Sequence, residues 1–343
     1  MSSTPPVASA IRISPTESWQ GALRDAVDSV EELLAIVGLN PSEVDWLHPT
    51  RSEFPLRVPR SYIARMRHRD LDDPLLRQVL PVRAELDEAP GYSRDPLREV
   101  SLADGGVLEK YAARVLLVTT GACPLHCRYC FRRHYPYHSE SVSRTAVEKT
   151  IERLRAQPDT REVILSGGDP LSLSNARLTQ LVTELSGVDS LTTLRIHSRF
   201  PIVLPERIDD ALLNLLRQSP LRIVVVTHCN HANEIDDSVV AALSELRECG
   251  ATLLNQSVLL RGVNAAVECL EMLSYRLFEA GVLPYYLHQL DRVAGTAHFE
   301  IEDPEASSLI AELRRRLPGY LVPRLVREIP GELSKTPLVE SHL

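Results

Sequence analysis

Three cysteines fall within eight residues of the stretch GACPLHCRYCF, as Cys123, Cys127 and Cys130. Thiolates are soft metal ligands, and a loop that gathers them with Arg and His makes poor core, so metal chemistry is the first reading. A tetrahedral zinc site takes four ligands, usually as two close pairs. Here a second cysteine pair is missing, although His126, His134 and His138 lie near enough in the chain to complete a site. The alternative is a [4Fe-4S] cube held through three irons by the C-x3-C-x2-C loop, with the fourth iron open to chelate a small molecule. Cys229, Cys249 and Cys269 are dispersed and read as ordinary buried thiols of a reducing compartment.

Scarcity supplies a second chemical signal. Among 38 basic residues only Lys110, Lys149 and Lys335 are lysines, so any chemistry that needs an amine has three candidates. Lys149 sits beside Glu148 and Glu152 on the helical segment TAVEKTIERL and reads as a solvated surface residue. Lys110 directly precedes an apolar run, and Lys335 lies in PGELSKTP near the end of the chain.

The elements that must position these groups show as a rhythm beginning at about Arg114. Short β-branched runs (RVLLVTT, EVILSGG, TTLRIHS, RIVVVTH, TLLNQSVLL, PYYLHQL) alternate with amphipathic helical segments, the pattern of parallel βαβ units. Six such units predict an α/β fold, a partial (β/α)6 TIM-like barrel, with an additional strand near GYLVPRLVREI. The cysteine loop directly follows the first strand, at the carboxyl end where such folds collect their chemistry. We expect a disordered tail over 1–15, a mainly helical region over 16–110, the barrel over 111–319, and a C-terminal strand and loop over 320–343. The formal net charge of −8 argues against a nucleic-acid footprint. The N-terminus lacks a signal pattern and no run of eighteen apolar residues occurs, so no membrane association and a cytoplasmic location are expected.

C-x3-C-x-aromatic-C after a first barrel strand, with Tyr129 as the aromatic, resembles the signature of the radical S-adenosylmethionine superfamily. That resemblance implies that S-adenosylmethionine chelates the open iron and is cleaved reductively to a 5'-deoxyadenosyl radical. SGGDPL, with Gly167, Gly168 and Asp169, stands where the superfamily has its glycine-rich cofactor segment. From roughly Phe54 to Pro337 the chain is similar to the lysine 2,3-aminomutases, through DPLLRQVLP, ILSGGDPL, IHSRFPIVLPERI, THCNH, NQSVLLRGVN, PYYLHQLD and GTAHF. These enzymes also use pyridoxal 5'-phosphate (PLP), which needs a lysine to anchor it.

The resemblance implies roles residue by residue. Lys335 matches the PLP lysine, although GELS replaces the usual run of glycines before it. Lys110, Tyr111 and Arg114 match PLP phosphate contacts, and His228 and Gln256 match contacts to S-adenosylmethionine. Arg132 matches the residue that holds the substrate carboxylate. Asp291 matches a carboxylate for the distal ammonium, and Glu328 stands where the family usually has a second such group as Asp. The absence of a cysteine-bearing C-terminal extension resembles the branch called elongation factor P (R)-β-lysylation protein. The expected reaction is therefore L-α-lysine to (R)-β-lysine, with the product passed to an elongation factor P ligase. An electron donor such as flavodoxin or ferredoxin and a homodimer are further expectations. The competing readings are a glutamate or arginine aminomutase and a metal-stabilised binding module without catalysis. A glutamate enzyme should present basic groups, not Asp291 and Glu328, to the distal end of its substrate.

Overall fold

The computed structural model of the chain describes residues 18–44, 47, 54–102, 105–137 and 144–338; the expected tail at 1–15 and His138 lie outside them. Nine strands form one sheet in sequence order: β1 Val107–Tyr111, β2 Arg114–Val118, β3 Glu162–Ser166, β4 Thr193–Ser198, β5 Arg222–His228, β6 Thr252–Val258, β7 Leu283–His288, β8 Arg324–Arg327 and β9 Thr336–Pro337. From β2 to β8 every neighbouring pair is parallel. β1 and β9 add antiparallel edges. Each parallel pair is joined by a helical crossover, and the six βα units with their added strands make the expected partial barrel.

The sequence explains both kinds of element. In β3, Val163, Ile164 and Leu165 are all buried, as a strand covered on both faces requires. The helix Asp210–Gln218 starts where the Asp209 carboxylate accepts from the Leu212 N–H, and it buries Leu212, Leu213 and Leu216. Burial of each such leucine contributes about 2 kcal/mol. The last crossover is the helix Asp303–Arg316. Its signals were present, since Pro304 starts it and Ala306, Ile310 and Leu313 at helical spacing form its buried face.

Residues 18–102 hold only short helices, of which Val30–Ile36, at seven residues, is the longest among the described residues. Their side chains share one apolar core with the barrel, with Trp19 meeting Phe200 edge-on at 5.9 Å. This region also braces the cysteine loop from outside. The buried Glu85 carboxylate accepts from Arg128 Nε at 2.8 Å and Arg133 Nη2 at 2.5 Å, and the His126 N–H donates to Arg57 O at 3.0 Å.

Candidate active site

The loop after β2 carries Cys123, Cys127 and Cys130, all free and half-buried. Burial pushes the Cys123 thiol well up, and the nearby Cys130, Asp169 and Cys127 add to it. Burial and Cys127 likewise raise Cys130 to about 11. Thiols such as Cys123 and Cys130, whose ionisation is opposed in this way, suit a cationic partner, which removes that penalty on binding. Among the described residues no three His, Cys, Asp or Glu groups surround a single ion position. Ligands to three different irons of a cube need not share one, so the donor set fits a cluster. The described histidines that zinc would need are engaged with backbone carbonyls, His126 Nδ1 with Pro55 O at 2.9 Å and His134 Nε2 with Ala294 O at 3.3 Å.

The loop after β3 packs directly on the cysteine loop. Gly168 N–H donates to Thr120 O at 2.6 Å and Asp169 N–H to Ala122 O at 2.8 Å. A Cβ at Gly168 would lie 2.4 Å from Ala122 O, and Gly167, at φ +124°, would place one 2.6 Å from Thr120 O. Close approach of the two backbones therefore requires glycine at both positions. Asp169 ties the same loop to β4, accepting from Leu171 N–H, Ser198 Oγ and Arg199 N–H at 3.0, 2.8 and 2.7 Å. Burial lifts its carboxyl to about 6 against those hydrogen bonds.

A second group of residues meets where β1, β8 and the C-terminal loop converge. Lys335 Nζ donates to Glu328 Oε2. Glu328 Oε1 accepts from Lys110 Nζ at 2.6 Å, and Lys110 Nζ lies 2.7 Å from Glu99. Glu99 in turn receives Arg132 Nε at 2.6 Å and Nη2 at 3.0 Å. The result is a buried line of alternating charge, Lys335, Glu328, Lys110, Glu99, Arg132. Burial opposes ionisation of Glu328, but the ammonium groups of Lys335 and Lys110 outweigh it and hold the carboxyl well below its usual range. Tyr111 borders Glu328, and the Arg114 guanidinium lies 4.6 Å from the centroid of the Tyr111 ring.

Arg132 joins the two groups. Its Nη1 donates to Ser166 Oγ and Gly167 O, both at 3.0 Å, while its other nitrogens face Glu99. Asp291, just beyond β7, lies close enough to Glu328 to feel its charge, yet no hydrogen bond or ion pair to its carboxylate occurs among the described residues. Burial first, then the Glu328 charge, lift its carboxyl to about 7.

His228 and Gln256 are register partners at the ends of β5 and β6, with Nε2 atoms 2.7 Å apart. Burial, aided by the Arg199 and Arg132 cations, drives His228 down to about 3, so its ring is neutral. Tyr129 points into a buried polar network, its hydroxyl accepting from Arg199 Nη1 and Asn230 Nδ2, both at 2.6 Å. Lys149 is exposed, as expected.

Several residues of this site were not singled out in the sequence. Glu99 opens the short helix Glu99–Leu102 before β1 and has no local signature. Arg199 directly follows β4 and His288 ends β7, the carboxyl-end positions where such folds collect their chemistry. Nε2 of His197 on β4 and Nε2 of His288 on β7 are both buried without a partner among the described residues.

Comparison with known proteins adds to this geometry. Residues 117–268 match the model of the Radical SAM superfamily. A protein of Escherichia coli (strain K12) named L-lysine 2,3-aminomutase is 48% identical over 325 residues, covering 94% of each chain. Another of that name, from Haemophilus influenzae, is 41% identical over 94% of this chain and 96% of its own. A third, from Clostridium subterminale, is 34% identical over 95% of this chain and 78% of its own. With the cysteine loop at the carboxyl end of the parallel sheet, these similarities establish that the chain is an enzyme of the L-lysine 2,3-aminomutase family, isomerases of the radical SAM superfamily.

Proposed function

We propose that the chain converts L-α-lysine to (R)-β-lysine, with a [4Fe-4S] cluster, S-adenosylmethionine and PLP as its cofactors. The observation that carries this reading is the placement of Arg132, which touches both the loops around the three cysteines and the charge line ending at Lys335. When bound, the cluster with S-adenosylmethionine supplies a carbon radical able to take hydrogen from an unactivated C–H bond, and PLP holds the migrating nitrogen.

Each protein group then has a defined task. Cys123, Cys127 and Cys130 hold the cluster, and Tyr129, Gly167, Gly168, Asp169, His228 and Gln256 surround the S-adenosylmethionine site. Arg132 binds the carboxylate of the amino acid, with Glu99 fixing the plane of its guanidinium. Lys110, Tyr111 and Arg114 bind the PLP phosphate. Lys335 reacts with a carbonyl only as the neutral amine, and in the ligand-free protein Glu328 Oε2, in contact with Nζ, holds it in place as the ammonium. Asp291, with no partner of its own among the described residues, receives the distal ammonium of lysine, and Glu328 supports it with a second negative charge. Both acids favour lysine over glutamate.

A one-electron donor of the flavodoxin or ferredoxin class, a homodimer, a cytoplasmic location and delivery of the product to an elongation factor P ligase complete the reading. Among the described residues no helix is long and apolar enough to cross a membrane. The test is an anaerobic assay of the reconstituted protein with lysine, glutamate and arginine, with chiral analysis of the product. (R)-β-lysine from lysine alone is expected, and preferred turnover of glutamate or arginine overturns the substrate assignment.

A further inference from the structure

The geometry points to Arg199 as a positioning residue that raises the reduction potential of the cluster, through a hydrogen bond to the sulfur of Cys127. This rests on the reading of the three cysteines as cluster ligands. Arg199 directly follows β4 and is buried, with its backbone N–H anchored on Asp169. Its Nη1 donates to Cys127 Sγ and to Tyr129 Oη, both at 2.6 Å. Its Nη2 donates to Gln78 Oε1 at 2.8 Å and Glu234 Oε2 at 2.9 Å, with Tyr62 Oη at 3.4 Å. Nε has no partner among the described residues.

Glu234 is itself fully buried, and its other carboxylate oxygen accepts from the N–H groups of Asn230 and His231 and from Gln78. The guanidinium therefore bridges a fixed anion on one side and a thiol sulfur on the other. A guanidinium needed only to neutralise Glu234 would have no use for the arm that reaches sulfur. Reducing a cluster adds negative charge to its sulfurs, and a donor or cation beside a ligand sulfur stabilises that state. Arg199 is buried, so solvent screens its charge only weakly.

Opposite changes of charge test the assignment. Each protein is reconstituted anaerobically, iron and sulfide are quantified, and the midpoint potential is read by spectroelectrochemistry with EPR of the reduced cluster. The double variant Arg199→Gln/Glu234→Gln removes both charges and strands neither. It is expected to load the cluster but to show a reduced-to-oxidised ratio about tenfold lower at the wild-type midpoint, a shift of about 59 mV to the negative for one electron. Glu234→Gln alone leaves the cation uncompensated and is expected to shift the midpoint the other way. Two shifts of the same sign, or none, overturn the proposal. If the double variant assembles no cluster, Arg199→Lys decides, because lysine keeps the charge but cannot span sulfur and Glu234 together. A negative shift then supports the role of Arg199, and an unchanged midpoint overturns it. A wild-type protein that loads no [4Fe-4S] cluster overturns the underlying cluster reading, and this is recognised before any variant is measured.

Discussion

Asp291→Asn should make the protein more stable and its use of lysine worse, and the two effects have one cause. The carboxyl of Asp291 is lifted from 3.8 to about 7 by burial and by the charge of Glu328. About three tenfold steps at 1.36 kcal/mol each put the cost of ionising it in the ligand-free protein at roughly 4 kcal/mol. Because the residue is only half-buried, residual solvent screening reduces this to between about 1 and 4 kcal/mol. The sign follows from proton linkage. A carboxyl that binds its proton more tightly folded than unfolded costs the folded state nothing below about pH 4, progressively more as pH rises, and the full amount above about pH 7. Asn carries no such cost. Urea denaturation of the ligand-free protein should therefore show Asp291→Asn level with wild type near pH 4 and more stable near pH 8. The PLP-loaded variant should meanwhile lose about 2–5 kcal/mol in lysine kcat/KM, the cost of stranding the substrate ammonium. The wild-type preference for lysine should strengthen as pH rises toward 7 and the carboxylate ionises. A stability difference independent of pH refutes the strained carboxylate, and unchanged lysine kinetics refute its contact with the ammonium.

Changing Cys123, Cys127 or Cys130 to Ala should abolish the broad visible absorption of the reconstituted cluster, and a full cluster in any single variant removes that residue from the ligand set. Borohydride reduction of the PLP-loaded protein followed by peptide mapping should place the pyridoxyl label on Lys335 alone. Lys335→Ala should lose aminomutase activity while keeping the cluster and reductive cleavage of S-adenosylmethionine; label on Lys110 or Lys149 contradicts the assignment. Gly168→Ala sets a Cβ 2.4 Å from Ala122 O and 2.7 Å from Gly121 C. It should lower the cluster content by distorting the cysteine loop while far-UV circular dichroism stays native, and an unaltered iron stoichiometry would mean that the two loops part without cost.

The chemistry and the order of the elements were legible in the chain because both are local properties. Three cysteines at fixed spacing define a ligand loop whatever surrounds it, and strands that alternate with amphipathic helices permit few arrangements other than a parallel sheet. Scarcity made Lys335 conspicuous for the same reason. What the sequence could not show is which charges face one another. Glu99 and Glu328 are far apart in the chain, and neither has a neighbour that marks it. The sheet brings β1 and β8 to the same mouth, where the two carboxylates hold Lys110 between them. Arg199 was quoted within a family motif without a role, because its partners Gln78, Cys127 and Glu234 come from three separate segments. The glycine pair stood out in a motif, but that its backbone packs against Thr120 and Ala122 of the cysteine loop shows only in the fold. Hydrogen bonds and ion pairs act over a few ångströms of space, and only the folded chain sets those distances.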